Sequence, residues 1–277
     1  MSSKVDGLCM ETLTKGIPLA DTPSEVTSQM AEHEDKLITL SKSAIRCRLQ
    51  EVDVTERMKE EDVVTFASPR KKASVLVPLI CCEDGDLLVL LTVRAKSLRT
   101  DAGDVAFPGG KQDDEDEDEI ATALREAWEE IGLHQADVEV VSQLPAMISR
   151  AGYFVRVITG FIPEDFTPNV NPNEVDDVFR VPLIDFLTKD CHDSYKTKSK
   201  GRFARLHSFF HSIDDKEYFT YGLTAYICIL AACAVYQRAP DFEMEPGFDH
   251  TRPLEGLLDL IYPNRSEEEA SSSSSKL

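Results

Sequence analysis

The sequence predicts an α/β fold, because strand-like and helix-like segments alternate through its middle part. Two apolar runs, 74–80 and 87–93, flank a Glu-Asp-Gly-Asp turn and indicate a β-hairpin. A helix with one apolar stripe is predicted over 117–131, with Gly132 as its C-cap. A second helix, 223–237, is apolar on nearly all sides and is therefore expected to be buried.

Further strands are expected downstream of the first helix. Apolar segments indicate strands at 138–144, 154–162 and 203–211, and a strand end that enters a short helix at 181–187. The first part of the chain is polar and mixed, apart from a helix-like period within 24–52. We therefore expect three regions: an N-terminal extension that is partly helical or disordered, a principal domain, and a C-terminal segment with a flexible tail, namely 1–70, 71–240 and 241–277.

Composition narrows the possible partners. The chain has 277 residues, 42% of them hydrophobic, and a formal net charge of −20. This charge argues against nucleic acid or an anionic membrane as a partner. No run of 18 apolar residues occurs, so no membrane span is expected. Seven cysteines without C-x-x-C spacing indicate reduced thiols that are neither zinc ligands nor a disulfide framework: Cys9, Cys47, Cys81, Cys82, Cys191, Cys228 and Cys233.

The helix predicted over 117–131 carries a cluster of carboxylates. On a helical wheel, Glu130 lies about 40° to one side of Glu126 and Glu129 about 60° to the other. Hard oxygen ligands grouped in this way suit Mg²⁺ or Mn²⁺, and Arg125 is placed to orient them. The alternative is a solvated acidic helix face. The apolar residues of the helix occupy a separate arc: Ile120, Ala123, Leu124, Ala127, Trp128 and Ile131.

The same helix resembles the signature of the nudix hydrolases, in which a glycine, five residues, a glutamate and seven residues precede Arg-Glu-x-x-Glu-Glu-x-Gly. Arg125-Glu126, Glu129-Glu130 and Gly132, following Gly110, match that pattern. Arg125 lies one position further from Gly110 than the motif specifies, and the fixed glutamate between them is missing. A longer loop at this point is typical of the coenzyme A diphosphatase branch of the family.

The segment just before the helix resembles an additional motif of that branch, LLTxR[S/A]xxxRxxxGxxxFPGG. Residues 90–110 match it at every fixed position. Guanidinium groups bind phosphate oxygens bidentately, and glycine lets the backbone approach a ligand, so the motif indicates substrate binding. For each arginine, the alternative is a surface ion pair. The candidate substrate-binding residues are Arg94, Arg99, Gly103, Gly109 and Gly110.

Downstream segments resemble the same branch. The resemblance covers about residues 70–240 and implies an α/β/α sandwich around a mixed β-sheet. Glu174, within Asn-Pro-Asn-Glu-Val, is one candidate for the general base, and a member of the helical glutamate cluster is another. The resemblance thus implies a catalytic set of Arg125, Glu126, Glu129, Glu130 and Glu174, with the three helical glutamates as ligands of Mg²⁺ or Mn²⁺.

The implied activity is hydrolysis of the diphosphate bond of coenzyme A or acyl-coenzyme A. The cation would neutralise the diphosphate and acidify the attacking water. The products would be 4′-phosphopantetheine, or its acyl form, and adenosine 3′,5′-bisphosphate. A nudix hydrolase acting on another substrate such as NADH, and a non-catalytic nudix binding module, are the alternatives.

Three smaller features complete the expectations. Ser275-Lys276-Leu277 matches a peroxisomal address, which predicts a peroxisomal import receptor as partner and the peroxisome as location. The acidic run 113–119 is expected to be a solvated loop, with one possible outer metal ligand. His207 and His211 are expected to be strand-edge residues, or alternatively to stack on adenine.

Overall fold

Two β-sheets and their flanking helices make up the described part of the chain. The computed structural model describes residues 40–53, 71–199, 202–245 and 248–261. Among these residues the helices are α1 (Lys42–Glu51), α2 (Glu119–Ile131), α3 (Gly222–Tyr236) and α4 (Pro253–Ile261). The strands are β1 (Lys71–Cys81), β2 (Leu87–Arg94), β3 (Val105–Ala106), β4 (Gly109–Lys111), β5 (Glu139–Ile148), β6 (Tyr153–Phe161), β7 (Val175–Pro182), β8 (His192–Ser199), β9 (Arg202–Ile213) and β10 (Lys216–Tyr221).

The main sheet is mixed. Its central path runs β3-β2-β1-β6-β5, while β4 pairs with β1 and β7 with β2. The β1–β6 pair is parallel, and the other pairs of this sheet are antiparallel. The predicted hairpin is confirmed, because Cys81 pairs with Leu87 across the turn.

Both faces of the main sheet are covered, as the alternation along β1 shows. Leu76 and Ile80 belong to the cluster that α2 covers, whereas Val77 and Leu79 belong to the cluster that contains α1 and α3. Successive strand residues point to opposite faces, so a strand buried on both sides reads as a continuous apolar run. The expected α/β/α sandwich is therefore confirmed.

A second sheet is antiparallel and has the strand order β10-β9-β8. The predicted strand 203–211 is confirmed as β9, which is the middle strand of this sheet. The sequence analysis did not predict β8 and β10, because both strands are largely polar. The strand end followed by a short helix is also confirmed, as β7 leads into a 3₁₀ helix at Leu183–Leu187.

Helices from outside the predicted 71–240 region also contact the core. Ile45 and Leu49 of α1 and Leu257 of α4 are buried in the same cluster as α3. The remainder of the helix-like segment 24–52, up to residue 39, lies outside the described residues, as do Cys9 and the C-terminal tripeptide. The boundaries of the three regions stay a prediction. Across the described ranges, no helix has the length and apolar character needed to cross a membrane.

Candidate functional site

Helix α2 presents a polar edge because its opposite face is buried against the main sheet. The helix begins after Asp118, whose carboxylate accepts the Ala121 backbone N–H at 2.7 Å. It ends at Gly132 in the left-handed conformation, φ 70°, as the sequence predicted. The side chains that lie fully buried on the sheet are those of Ala123, Ala127 and Ile131.

Three carboxylates converge beside the polar edge of α2. One ligand oxygen from each of Glu126, Glu130 and Glu174 lies within 4.8 Å of the others. Glu174 comes from the loop before β7, where the Asn171 side-chain amide donates to its carboxylate at 3.3 Å. The Ala95 backbone N–H donates to the Glu174 carbonyl at 2.9 Å, which ties this loop to the end of β2. We call these three residues the glutamate cluster.

The carboxyl groups of the glutamate cluster do not ionise together readily. Burial, reinforced by the neighbouring Glu126 and Glu174 carboxylates, raises the pKa of Glu130 from 4.5 to about 8. Burial also raises the pKa of Glu126, although Arg125 opposes that shift. Like-charged carboxylates held this closely and partly shielded from water require a cation if all are to ionise.

These residues fit a divalent cation. Their ligand atoms are carboxylate oxygens, the donors that Mg²⁺ and Mn²⁺ prefer, and Glu130 is only 4% exposed. Glu126 and Glu130, two of the three helical glutamates predicted as ligands, lie in the cluster, and the third carboxylate there is that of Glu174.

Glu129 lies apart from the glutamate cluster. Its side chain is 46% exposed and accepts a hydrogen bond from Arg125 at 3.1 Å. Its role as a metal ligand therefore stays a prediction. The wheel also placed Trp128 on the buried arc, and this is wrong: Trp128 is 54% exposed and packs edge-on against His134.

Arg125 holds the acidic edge of α2 in place. Its guanidinium donates to both carboxylate oxygens of Asp116, at 2.8 and 3.0 Å, and also to Glu126 and Glu129, each at 3.1 Å. A further hydrogen bond reaches the Lys111 carbonyl at 3.0 Å. Arg125 therefore contacts the Glu126 carboxylate directly and fixes its orientation.

Asp116 is the residue that the sequence analysis missed. Residues 113–119 were expected to form a solvated loop, but the Asp116 side chain is only 5% exposed. The hydrogen bonds from Arg125 hold the pKa of the Asp116 carboxyl well below its ordinary range. Asp116 also stands at the sixth position after Gly110, where the nudix motif has its fixed glutamate. The acidic position of the motif is thus occupied by an aspartate, which is one methylene shorter than glutamate. A comparison with the motif that requires glutamate does not recognise it.

Gly109 and Gly110 contact the glutamate cluster directly. The Gly109 backbone N–H donates to Glu130 at 3.2 Å. A Cβ at Gly110 would lie 2.4 Å from a Glu126 carboxylate oxygen. In this structure the two glycines therefore support the carboxylates, while their predicted contact with substrate stays a prediction.

The two motif arginines differ in their surroundings. Arg94 is half-buried at the end of β2, its positive charge acts on Glu130, and its Nε has no hydrogen-bond partner among the described residues. Arg99 is exposed in the following loop. Gly103 turns that loop with φ 79°, and its N–H donates to the Arg94 carbonyl at 3.0 Å. Arg94 is therefore the motif arginine that lies beside the glutamate cluster.

A cleft next to Arg125 contains three lysines and an aromatic ring. Lys71 and Lys111 place their ammonium groups 5.8 and 5.9 Å from the centre of the Tyr153 ring. Lys72 and the acidic loop complete the lining. The sequence analysis did not identify this cleft, because its members come from three different strands, β1, β4 and β6.

The expectation for His207 and His211 is wrong. Both lie on β9, the middle strand of the second sheet, and are 2% and 8% exposed. His207 bonds to His192 at 2.9 Å, so its ring is neither at a strand edge nor open to a nucleotide base.

Comparisons with known proteins agree with this geometry. The NUDIX domain family model matches residues 70–200. The peroxisomal coenzyme A diphosphatase of Mus musculus is 36% identical over 70% of this chain and 83% of its own length. The chain belongs to the nudix hydrolase family.

Other nudix hydrolases are similar to this one. The peroxisomal coenzyme A diphosphatase of Caenorhabditis elegans is 32% identical over 78% of this chain and 92% of its own length. Nudix hydrolase 15 of Arabidopsis thaliana, a mitochondrial protein, is 40% identical over 66% of this chain. The matched segment spans 65% of that plant protein, a little under two thirds.

Proposed function

We propose that this nudix hydrolase cleaves the diphosphate bond of coenzyme A or its acyl derivatives, using Mg²⁺ or Mn²⁺. The observation that carries the proposal is the placement of Arg94, a fixed residue of the coenzyme A motif, beside the glutamate cluster. The similarity to two peroxisomal coenzyme A diphosphatases supports the choice of substrate.

The residues divide the work of hydrolysis between them. Glu126, Glu130 and Glu174 would hold the divalent cation, whose charge would offset that of the diphosphate and lower the pKa of a water molecule. Arg94, whose Nε has no hydrogen-bond partner among the described residues, would bind diphosphate oxygens through its guanidinium group. A carboxylate, Glu174 or Glu126, accepts the proton of the attacking water. The water oxygen bonds to phosphorus as the anhydride P–O bond breaks, which yields 4′-phosphopantetheine and adenosine 3′,5′-bisphosphate.

The test is product analysis with purified protein. With Mg²⁺ or Mn²⁺, mass spectrometry should detect the two products from coenzyme A, and cleavage of NADH should be slower. Glu130→Gln should lower kcat by about 10²-fold or more, because a buried ligand carboxylate is lost. Glu117→Gln, an exposed change in the neighbouring loop, is the matched control.

Each possible failure has a distinct meaning. Faster cleavage of NADH than of coenzyme A would show that the proposed substrate is wrong and that the protein is nevertheless a diphosphatase. No cleavage of any diphosphate would favour a non-catalytic binding module. Activity of Glu130→Gln equal to that of the control would refute the assignment of the glutamate cluster.

We further propose that the cleft lined by Lys71, Lys72, Lys111 and Tyr153, the lysine cleft, recognises the 3′-phosphate of coenzyme A. Lysine ammonium groups bind phosphate, and the Tyr153 ring offers a face for a base or sugar. Asp113, Asp114 and Asp116 line the same cleft, and Arg125 pairs with Asp113 and Asp116. In a chain with a net charge of −20, the lysines are the cations that could attract a polyanion here.

The expected result concerns coenzyme A and dephospho-coenzyme A, which differ only in the 3′-phosphate. Lys111→Ala should raise KM for coenzyme A by about tenfold, because one ion pair with the 3′-phosphate is lost. KM for dephospho-coenzyme A should change little. Lys96→Ala, an exposed lysine outside the cleft, is the control. Equal effects on both substrates would show that Lys111 does not contact the 3′-phosphate.

We propose the peroxisome as the location, with an import receptor binding Ser275-Lys276-Leu277. The peroxisomal relatives support this assignment, although the Arabidopsis relative is mitochondrial. Deleting the three residues from a protein tagged at its N-terminus should shift fluorescence from peroxisomes to the cytosol and leave kcat unchanged. Retention in peroxisomes after the deletion would contradict the proposal.

A further inference from the structure

Three metal-binding side chains converge away from the glutamate cluster. Asp185 lies in the 3₁₀ helix after β7, Cys191 comes just before β8, and His211 lies on β9. One ligand atom from each lies within 4.8 Å of the others. His211 Nε2 is 3.5 Å from an Asp185 carboxylate oxygen and 3.9 Å from Cys191 Sγ.

Hydrogen bonds explain this arrangement poorly. Both contacts use the same nitrogen, which carries either one hydrogen or one lone pair. A separation of 3.5 Å also exceeds the usual N–H···O range. The Cys191 thiol has a different acceptor, the Asp185 backbone carbonyl at 3.6 Å. His211 Nε2 can therefore form at most one weak hydrogen bond, which Asp185 and Cys191 would have to share.

A nucleophilic triad explains it no better. In a triad, the acid bonds one imidazole nitrogen and the nucleophile bonds the other. Here the carboxylate and the thiol approach the same nitrogen, while His211 Nδ1 has no hydrogen-bond partner among the residues described. Proton relay from Cys191 through His211 to Asp185 is therefore excluded by the geometry.

We infer that Asp185, Cys191 and His211 form a zinc site separate from the glutamate cluster. Tetrahedral bonds of about 2.0–2.3 Å to zinc place the ligand atoms about 3.3–3.6 Å apart, near the 3.5 and 3.9 Å separations. Cysteine, histidine and aspartate are all zinc ligands, and a water completes four-coordination. The Asp185 side chain is 31% exposed, which provides the route of entry.

The proposed zinc site and the glutamate cluster differ in their donor atoms. A thiolate and an imidazole select zinc, whereas a set of three carboxylates selects Mg²⁺ or Mn²⁺. The zinc would link the 3₁₀ helix after β7, the residue before β8, and strand β9. Three protein ligands leave the fourth position of the zinc open to a water molecule. Cysteine spacing alone predicted no zinc ligands, because this site takes one ligand from each of three elements.

Cobalt substitution tests the inference. After exhaustive dialysis against a chelator, Co²⁺ should bind and produce a thiolate-to-cobalt charge-transfer band that saturates at one equivalent per chain. Cys191→Ser should abolish the band, and Asp185→Asn should weaken Co²⁺ binding at least tenfold. Cys82→Ser, which changes a half-buried thiol elsewhere, should leave the band intact. Circular dichroism verifies that each variant is folded.

Bound metal in the purified protein provides a second measurement. Elemental analysis should find one zinc per chain in Glu130→Gln, because the glutamate cluster is not involved. Cys191→Ser should contain none after the same purification. No thiolate band with the wild-type protein, or an undiminished band with Cys191→Ser, would overturn the inference regardless of any diphosphatase activity.

Discussion

At Gly110, the absence of a side chain leaves room for the Glu126 carboxylate. The neighbouring Gly109 is confined differently, because a Cβ there would lie 2.4 Å from the Ser74 carbonyl and 2.6 Å from the Val75 Cα. A carboxylate at the end of a flexible side chain can move, but the backbone of a central strand cannot. We therefore expect a substitution at Gly110 to affect activity and a substitution at Gly109 to affect stability.

Gly110→Ala should reduce activity and leave the fold intact. The new methyl group displaces Glu126 from the glutamate cluster, so kcat should fall by at least tenfold while the melting temperature changes little. Gly109→Ala should instead destabilise the protein by about 2 kcal/mol or more, since the backbone of β1 must shift. Steady-state kinetics and thermal denaturation of both variants provide the comparison. Loss of stability in Gly110→Ala without loss of activity would contradict the predicted displacement of Glu126.

The sequence did not decide whether helix α1 packs into the hydrophobic core. Ile45 and Leu49 are 1% and 0% exposed, and they pack into the cluster formed with α3 and one face of the main sheet. Arg48 adds a hydrogen bond to the Val235 carbonyl of α3. The contacts of α1 are thus those of a core helix.

Leu49→Ala should destabilise the protein by about 2–4 kcal/mol, through lost apolar burial and the cavity left behind. Gln50→Ala, at an exposed position in the same helix, should change the free energy of unfolding by less than about 0.5 kcal/mol. Urea denaturation at one protein concentration measures both. A small effect of Leu49→Ala would mean that α1 is an accessory helix.

For the whole molecule, the buried carboxyl group of Glu130 makes the free energy of unfolding depend on pH. In the metal-free protein, the pKa of Glu130 is about 8 in the folded state and 4.5 when unperturbed. The raised pKa means that the unfolded state loses its proton first as pH rises. Stability contributed by protonated Glu130 is therefore present below pH 4.5 and is lost as pH rises toward 8.

Glu130→Gln should consequently stabilise the metal-free protein while it inactivates the enzyme. In the presence of a chelator at neutral pH, the gain should be on the order of 2 kcal/mol and should shrink toward pH 5. Added Mn²⁺ should raise the melting temperature of the wild-type protein more than that of the variant. Calorimetry with and without Mn²⁺ measures both effects. A variant less stable than the wild type in chelator would contradict the assigned burial of charge.

Local patterns predicted much of the fold and part of the site. Apolar runs with a turn between them predicted the β1–β2 hairpin, and helical periodicity with a glycine stop predicted α2. These features depend on neighbours in sequence, so they can be read from the chain alone. Trp128 shows the limit: the wheel placed it on the apolar arc, but its side chain is 54% exposed, whereas Ala127 and Ile131 of the same helix are fully buried.

The sequence by itself determined the α/β fold, the family, and the acidic and basic residues of the candidate site. Tertiary structure alone decided which of them meet: Glu174 joins Glu126 and Glu130, Glu129 stands aside, and Asp116 lies under Arg125. It also brought Asp185 and Cys191 to His211. The physical reason is that periodicity specifies direction within one element, whereas distances between elements depend on how sheet, helix and loop pack together.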